Sequence, residues 1–92
     1  MNAALDITLH ETGAGWVATV TVGGERTVST HEVAVSRAEH DRYGGGDVTD
    51  LVRRAFAFLL AREPNTTILR RFDLGDIERY FPEFAKEILA GR

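Results

Sequence analysis

The segment that decides the fold is DVTDLVRRAFAFLLAREP, residues 47–64. Asp47 is a good N-cap and Pro64 cannot continue a helix, so we predict one long helix from about Val48 to Arg62. At about 100° per residue, its apolar side chains cover an arc of roughly 200°, twice the stripe of a typical surface helix. These side chains are Val48, Leu51, Val52, Ala55, Phe56, Phe58, Leu59 and Leu60. An arc of that width needs cover on two sides.

Three runs that precede this helix alternate apolar and polar residues, a pattern that predicts β-strands. The runs are LDITL at 5–9, WVATVTV at 16–22 and ERTVSTHEVAV at 25–35. Gly23 and Gly24 are typical of a two-residue hairpin connection. Val28 is out of phase with Val33 and Val35, so we expect either a bulge in the third strand or a strand that crosses from one environment to another.

Shorter helical signals lie on both sides of the long helix. Ser36 and Glu39 have the spacing of a capping box, which predicts a short helix from Arg37 toward Tyr43. Downstream signals predict a helical turn after Thr66 or Thr67, a helix from about Leu74 to Phe81 capped by Asp73, and a last helix from Pro82 to Ala90. The sequence therefore predicts one α+β domain, residues 1–92, with a three-stranded antiparallel N-terminal sheet followed by one long helix and short C-terminal helices.

Composition limits the functional classes. The 92 residues are 43% hydrophobic and 27% charged, which is typical of a single globular domain. The absence of cysteine excludes disulfides, thiolate zinc sites and cysteine nucleophiles. No apolar run approaches the ~20 residues that span a bilayer, and the N-terminal MNAALDITLHE lacks the basic start of a signal peptide. We therefore expect a cytoplasmic protein that does not contact membranes.

No motif in the chain indicates catalysis. The stretch HDRYGGGD, residues 40–47, lacks the Gly-Lys-Ser/Thr ending of a phosphate-binding loop and places Asp47 where a phosphate would bind. The histidines at 10, 31 and 40 do not have the spacing of a zinc motif, and neither Ser29 nor Ser36 lies in a Gly-x-Ser-x-Gly context. His31 shares a strand face with valines, which favours a structural role. We predict no catalytic, cofactor-binding or metal-binding residues and no enzymatic activity.

The stretch FDLGDIERYFPEF, residues 72–84, combines aromatic rings and carboxylates. Its apolar residues recur at steps of two to four, with the acidic residues between them. This spacing indicates helix packing rather than an acid–base site.

Two segments carry a resemblance to a known group. LVRRAFAFLLAREP at 51–64 and ILRRFDLGDIERYFPEF at 68–84 resemble a group of short bacterial proteins of unknown function. The resemblance implies membership of that group and a bacterial source, and it implies no activity.

Residues 30–63 also resemble ribbon-helix-helix DNA-binding proteins, because they read as a strand, a short helix, a glycine turn and a longer amphipathic helix. Such regulators and antitoxins dimerise through the strand, whose outward side chains enter the major groove. The outward set in this chain is Thr30, Glu32, Ala34 and Ser36. An acidic residue and an alanine read bases poorly, so this resemblance gives the alternative function.

The charge pattern raises a question about nucleic acid. The net charge of −3 argues against bulk attraction to nucleic acid or to anionic membranes. Between residues 53 and 71, however, the only acidic residue is Glu63, so a basic patch is a candidate feature. Its members are Arg53, Arg54, Arg70 and Arg71. The simpler interpretation, which we favour, pairs Asp50 with Arg54 and leaves the other arginines solvated.

The wide apolar arc leads to the main functional hypothesis. Exposed apolar surface of that size usually marks an interface, and two-fold homodimers are the commonest closed assembly. The candidate interface residues are Leu51, Phe56, Phe58 and Leu60. In the competing explanation the C-terminal helices cover the arc. The sequence thus predicts a small non-enzymatic protein that acts through protein–protein contact as a homodimer, and a ligand-binding domain or minor enzyme remains a further hypothesis.

Overall fold

The computed structural model describes residues 4–24 and 26–90, which form a four-stranded sheet with four helices. The strands are β1 (Ala4–Thr12), β2 (Gly15–Gly23), β3 (Val28–Ser36) and β4 (Arg71–Asp73). The helices are α1 (Arg37–Arg42), α2 (Val48–Leu60), α3 (Asp76–Tyr80) and α4 (Phe84–Ala90), with a 3-10 turn at Asn65–Thr67. The strand order is β1-β2-β3-β4, and β4 runs parallel to β3. The predicted α+β class is confirmed, but the predicted three-stranded sheet lacked β4.

The first three strands form an antiparallel meander with an unbroken register. Pairing runs from Ala4 opposite Gly23 to Thr12 opposite Gly15, and the β2–β3 pairing continues as far as Val28 opposite Gly23. The predicted bulge is therefore wrong, because Val28 lies at the start of β3 with 70% of its surface exposed. Strand β2 ends at Gly23 and β3 begins only at Val28, so the two strands are further apart along the chain than in the predicted two-residue hairpin. The predicted start of the third strand at Glu25 lies outside the described residues.

The helical turn predicted after Thr66 or Thr67 does not form: residues 68–70 belong to no helix or strand, and the chain then enters β4. Two backbone hydrogen bonds bracket it, since Glu32 N donates to Arg70 O at 2.7 Å and Leu74 N donates to Ala34 O at 2.9 Å. Between them Phe72 pairs with Val33 and lies on the same face of the sheet as the buried valines.

All four helices lie on one face of the sheet. The core side chains from β2 and β3 are Ala18, Val20, Val22, Val33 and Val35, each with no exposed surface. Helix α2 buries seven side chains against them, and Asp47 caps it as predicted by accepting a bond from Asp50 N at 3.0 Å. The opposite face alternates with the core face and stays exposed or half-exposed.

The C-terminal helices are shorter than predicted. Phe81 precedes Pro82, and the proline ring disfavours the helical region for the residue before it. Phe81 accordingly has an extended backbone (φ −131°, ψ 87°), so α3 ends at Tyr80 and α4 begins only at Phe84. Asp73 does not cap α3; instead its amide donates to the side chain of Asp76 at 3.0 Å.

Candidate functional site

The two edge strands of the sheet, β4 and β1, differ in length and in how readily a strand of another chain could pair with them. On one edge, β4 has only three residues, two of which are charged. On the other edge, β1 has nine residues (ALDITLHET), contains neither proline nor lysine, and pairs with β2 without a bulge. Natural proteins block free edges by short strands, charged side chains, prolines, bulges or inward-pointing charges. The charged residues of β1 are Asp6, on the face away from the helices, and Glu11, which lies near the end of the strand on the helix side and pairs with Arg37. Residues 7–10, between these two, include no carboxylate, lysine or arginine. The outer side of β1 therefore offers unpaired backbone groups to another strand.

The side chains of β1 that face the helices are incompletely covered. Leu5, Ile7 and Leu9, here called the edge row, are each half-buried. Their partners across the β1–β2 pairing, Val22, Val20 and Ala18, have no exposed surface at all. Helix α2 contacts β1, and the edge row packs against the core, but the helical layer covers these three side chains only in part.

Sequence reasoning did not single out the edge row as a candidate site. The alternation of residues 5–9 identifies a strand with one apolar face. It does not say whether another strand lies beyond β1, because strand order depends on long-range pairing.

The predicted interface on α2 lies mostly inside the single chain. Leu51 and Phe56 have no exposed surface and Phe58 has 7%, while Leu60 is half-buried. The ring of Phe58 packs edge-on against Phe81 at 5.8 Å and against Phe84 at 5.1 Å between ring centroids. The C-terminal helices therefore provide the cover that the apolar arc requires. The width of the arc no longer calls for a second subunit at these residues.

Arg54 of α2 and Arg62, two residues beyond the end of α2, hold this cover in place. Arg54 donates to Asp50 at 2.9 Å, as the i, i+4 spacing predicts, and also to the carbonyl of Ile88 in α4 at 2.7 Å. Arg62 stacks on the ring of Phe58 at 3.5 Å and donates to Glu87 in α4 at 2.9 Å. These contacts join the polar flank of α2 to α4.

The predicted basic patch is not assembled. Arg54 is engaged between α2 and α4, in the helical layer. Arg71 pairs across the sheet with Glu32, 3.7 Å away, on the face opposite the helices. Arg53 and Arg70 are exposed. Arg54 and Arg71 thus lie in opposite layers of the domain, so the four arginines do not form one surface toward a phosphate backbone.

The ribbon-helix-helix arrangement also conflicts with this sheet. It requires the strand before the short helix to pair with the same strand of a partner. In this chain that strand is β3, which pairs with β2 along its whole length and with β4 over residues 32–34. Both sides of β3 are occupied at its centre, so no intermolecular ribbon can form there.

A cluster of ionisable groups joins α1 to α3. Arg42 donates to both carboxylate oxygens of Glu78, at 2.8 and 2.9 Å, and Tyr43 O–H donates to the same carboxylate at 2.9 Å. The bonds from Arg42 and then Tyr43 hold the pKa of Glu78 below its ordinary value. Burial, followed by the bond to Glu78, raises the pKa of Tyr43 to about 12. A phenol that stays protonated and a fully paired carboxylate are poorly suited to proton transfer near neutral pH, so this cluster serves packing.

The capping box of α1 extends this connection. Glu39 accepts from Ser36 N at 2.9 Å through one carboxylate oxygen and from Gly75 N at 2.8 Å through the other. A Cβ atom at Gly75 would lie 2.7 Å from the second oxygen, so a larger residue there would displace the Glu39 carboxylate.

His31 connects β3 to the segment before β4. It is 2% exposed; its Nδ1 lies 2.8 Å from Leu69 O and its Nε2 lies 2.8 Å from Ser29 Oγ. Because a carbonyl only accepts, Nδ1 carries the proton and Nε2 accepts from the Ser29 hydroxyl. Asn65 Nδ2 in turn donates to Ser29 Oγ at 3.0 Å. The imidazole is thus satisfied in the structural role that the strand pattern indicated.

The described part of the chain lacks two further classes of site. Across residues 4–24 and 26–90, no three or more His, Cys, Asp or Glu side chains come together in a way that could hold a metal ion. No helix within these ranges has the length and apolar character required to cross a membrane.

Comparison with known proteins gives no further guide. Neither the protein-family models nor the curated proteins nor the solved structures contain a match to this chain.

Proposed function

We propose that this protein is a non-enzymatic cytoplasmic domain that acts through protein–protein contact, as a homodimer joined through the free edges of two β1 strands. The observation that carries the proposal is the nine-residue outer edge, which pairs with no other strand of the described residues, together with its half-buried edge row. Antiparallel pairing of two copies satisfies the free backbone groups of both strands and continues the sheet across the two-fold axis.

The side chains of β1 favour one pairing register. A two-fold axis through a residue of β1 keeps the apolar side chains of both copies on the same face. With the axis at Ile7, Leu5 faces Leu9 of the partner subunit and Ile7 faces Ile7 of the partner subunit. An axis at Asp6 opposes two carboxylates, and an axis at Thr8 opposes Leu5 to a glutamate. The Ile7 register therefore unites the two edge rows in one apolar strip.

The test uses Thr8, which is exposed on the other face of β1 and pairs only with uncharged Thr19 within the chain. In the Ile7 register Thr8 faces Asp6 of the partner subunit. Thr8→Asp opposes like charges at two symmetric positions and is expected to give a monomer, whereas Thr8→Lys opposes unlike charges and is expected to keep the dimer. Multi-angle light scattering and sedimentation velocity report the masses, with circular dichroism as the check on folding.

The expected mass of the wild type is twice the chain mass of 10.2 kDa. A monomeric wild type at high micromolar concentration refutes the proposal. A dimer that persists unchanged in Thr8→Asp refutes the β1 register and moves any interface elsewhere.

A further inference from the structure

A groove lies at the opposite edge of the sheet from β1, where the end of α2, the segment that follows it, β4 and α3 meet. Its volume is ≈ 390 Å³. Leu59, Ile68 and Ile77 line it with side chains that are at most 7% exposed, so its floor is part of the domain core. This size falls near the lower end of the roughly 300–1,000 Å³ range of small-molecule sites.

The walls of the groove include surface that folding leaves uncovered. Leu69 is 53% exposed and Tyr80 is 70% exposed, and both line the groove. They are among the four large apolar or aromatic side chains that are exposed in the described ranges 4–24 and 26–90. Phe72 and Phe81 add two further rings to the lining. Three aromatic side chains, from β4, from the end of α3 and from the residue after it, thus line one concave space.

The charged groups that line the groove are both carboxylates, Glu63 and Asp76. Thr67 donates to one oxygen of Glu63 at 2.8 Å, and Asp73 N donates to one oxygen of Asp76 at 3.0 Å. The second oxygen of Asp76 lies 3.7 Å from the exposed Arg79, beyond hydrogen-bond distance. Both carboxylates therefore keep acceptor capacity, and no lysine, arginine or histidine lines the space.

From this combination we propose that the groove binds a small organic cation, an aromatic or alkyl body that ends in an ammonium group. Binding removes apolar surface of the ligand body and of the groove floor from water, which is favourable in free energy. The aromatic faces attract a positive charge, and the carboxylates accept hydrogen bonds from an ammonium group. An anion of the same shape meets two like charges and no compensating donor from a basic side chain.

Three probes that share one body separate charge from apolar contact. They are 4-phenylbutylammonium, 4-phenylbutan-1-ol and 4-phenylbutyrate, titrated into the isotopically labelled full chain and followed by amide chemical shifts. The ammonium probe is expected to bind with shifts centred on Leu69, Ile77 and Tyr80. It is expected to bind about tenfold or more tightly than the carboxylate, with the alcohol between them.

Conservative variants identify the groups responsible. Glu63→Gln and Asp76→Asn keep an amide oxygen for the internal hydrogen bonds and remove the charge, and each is expected to weaken the ammonium probe by about threefold to fivefold. The alcohol is expected to bind these variants as it binds the wild type. Glu11→Gln, a charge removal at the far hairpin of the sheet, serves as the matched control and is expected to change nothing. Tyr80→Ala is expected to weaken the binding of both the ammonium probe and the alcohol, because it removes an aromatic side chain from the groove lining.

Several results overturn the proposal. If the three probes bind with equal affinity, the groove is an apolar surface that does not recognise charge. The same conclusion follows if the double variant Glu63→Gln with Asp76→Asn binds the ammonium probe as tightly as the wild type. Shifts that map outside the groove, or no binding up to the solubility limit, show that no such site exists. Shifts at Leu69 and Tyr80 that depend on protein concentration alone show that a second copy occupies the groove. None of these results depends on whether the β1 edges pair.

Discussion

Phe84→Ala tests whether the C-terminal helices complete the core of the single chain. Phe84 has no exposed surface, and its ring packs edge-on against Tyr43 at 5.2 Å and against Phe58 at 5.1 Å between centroids. It therefore joins α4 to α2 and to the residue that ends α1. If these contacts close the core, the truncation leaves a ring-sized cavity at the meeting point of three helices.

The magnitude follows from the burial. Truncation of a buried phenylalanine to alanine costs about 3–5 kcal/mol, because the transfer free energy is lost and a cavity remains. A domain of this length has a total stability of roughly 5–14 kcal/mol, so the change removes at least about a fifth of it. With an m value of about 1.2 kcal/mol/M, the urea midpoint falls by about 2.5–4 M.

Tyr80→Ala supplies the matched control. Tyr80 is an aromatic residue of α3, only four positions earlier, and 70% of its surface is exposed. Its truncation is expected to change the free energy of unfolding by less than about 0.5 kcal/mol. Urea denaturation followed by circular dichroism measures both variants. A loss below about 1.5 kcal/mol for Phe84→Ala, or equal losses for the two variants, refutes the conclusion that this tail closes the core.

Two further variants probe the backbone and the ionisable cluster. Gly15 has φ +152°, and a Cβ there would lie 2.1 Å from Val35 O, so Gly15→Ala is expected to destabilise by more than about 2 kcal/mol in urea denaturation. Gly13→Ala, with no atom within 4 Å of its Cβ, is expected to be near neutral, and equal effects would contradict the steric explanation. The pKa of Glu78 is lowered from 4.5 chiefly by Arg42, so its contribution to stability is present above pH 4.5 and lost as the pH falls. Glu78→Gln should flatten the loss of thermal stability between neutral and acid pH, and an unchanged acid slope would contradict this assignment.

Local signals in the sequence determined the elements whose stability is local. The Asp47 cap and the apolar period predicted α2 to within two residues, and the spacing of Ser36 and Glu39 predicted α1. The alternating runs located the strands because side chains on successive residues of a strand face opposite sides. The apolar arc of α2 correctly indicated that two layers must cover this helix.

Tertiary structure decided which layers those are. The same apolar arc can be covered by a second subunit or by the chain's own C-terminal helices, because the residues of a helix face do not specify which element packs against it. The contacts of Phe58 with Phe81 and Phe84 resolve that choice in favour of the chain itself.

Local sequence signals also did not predict the fourth strand. The three residues of β4 contain no strand alternation of useful length, and they become a strand because β3 offers them a parallel edge at residues 32–34. That pairing, in turn, carries Phe72 into the groove beside Tyr80.

Both candidate binding surfaces depend on such long-range placement. The sequence identified β1 as a strand, and only the order of the sheet leaves its outer edge free. Glu63 and Asp76 are thirteen positions apart and belong to different segments, so no spacing rule unites them. The sequence by itself determined which segments are helical or extended and which of their faces are apolar, because hydrogen bonding and side-chain period act over a few residues. Strand order, the cover over α2 and the composition of the groove arise from contacts between distant residues, and only the tertiary structure decided them.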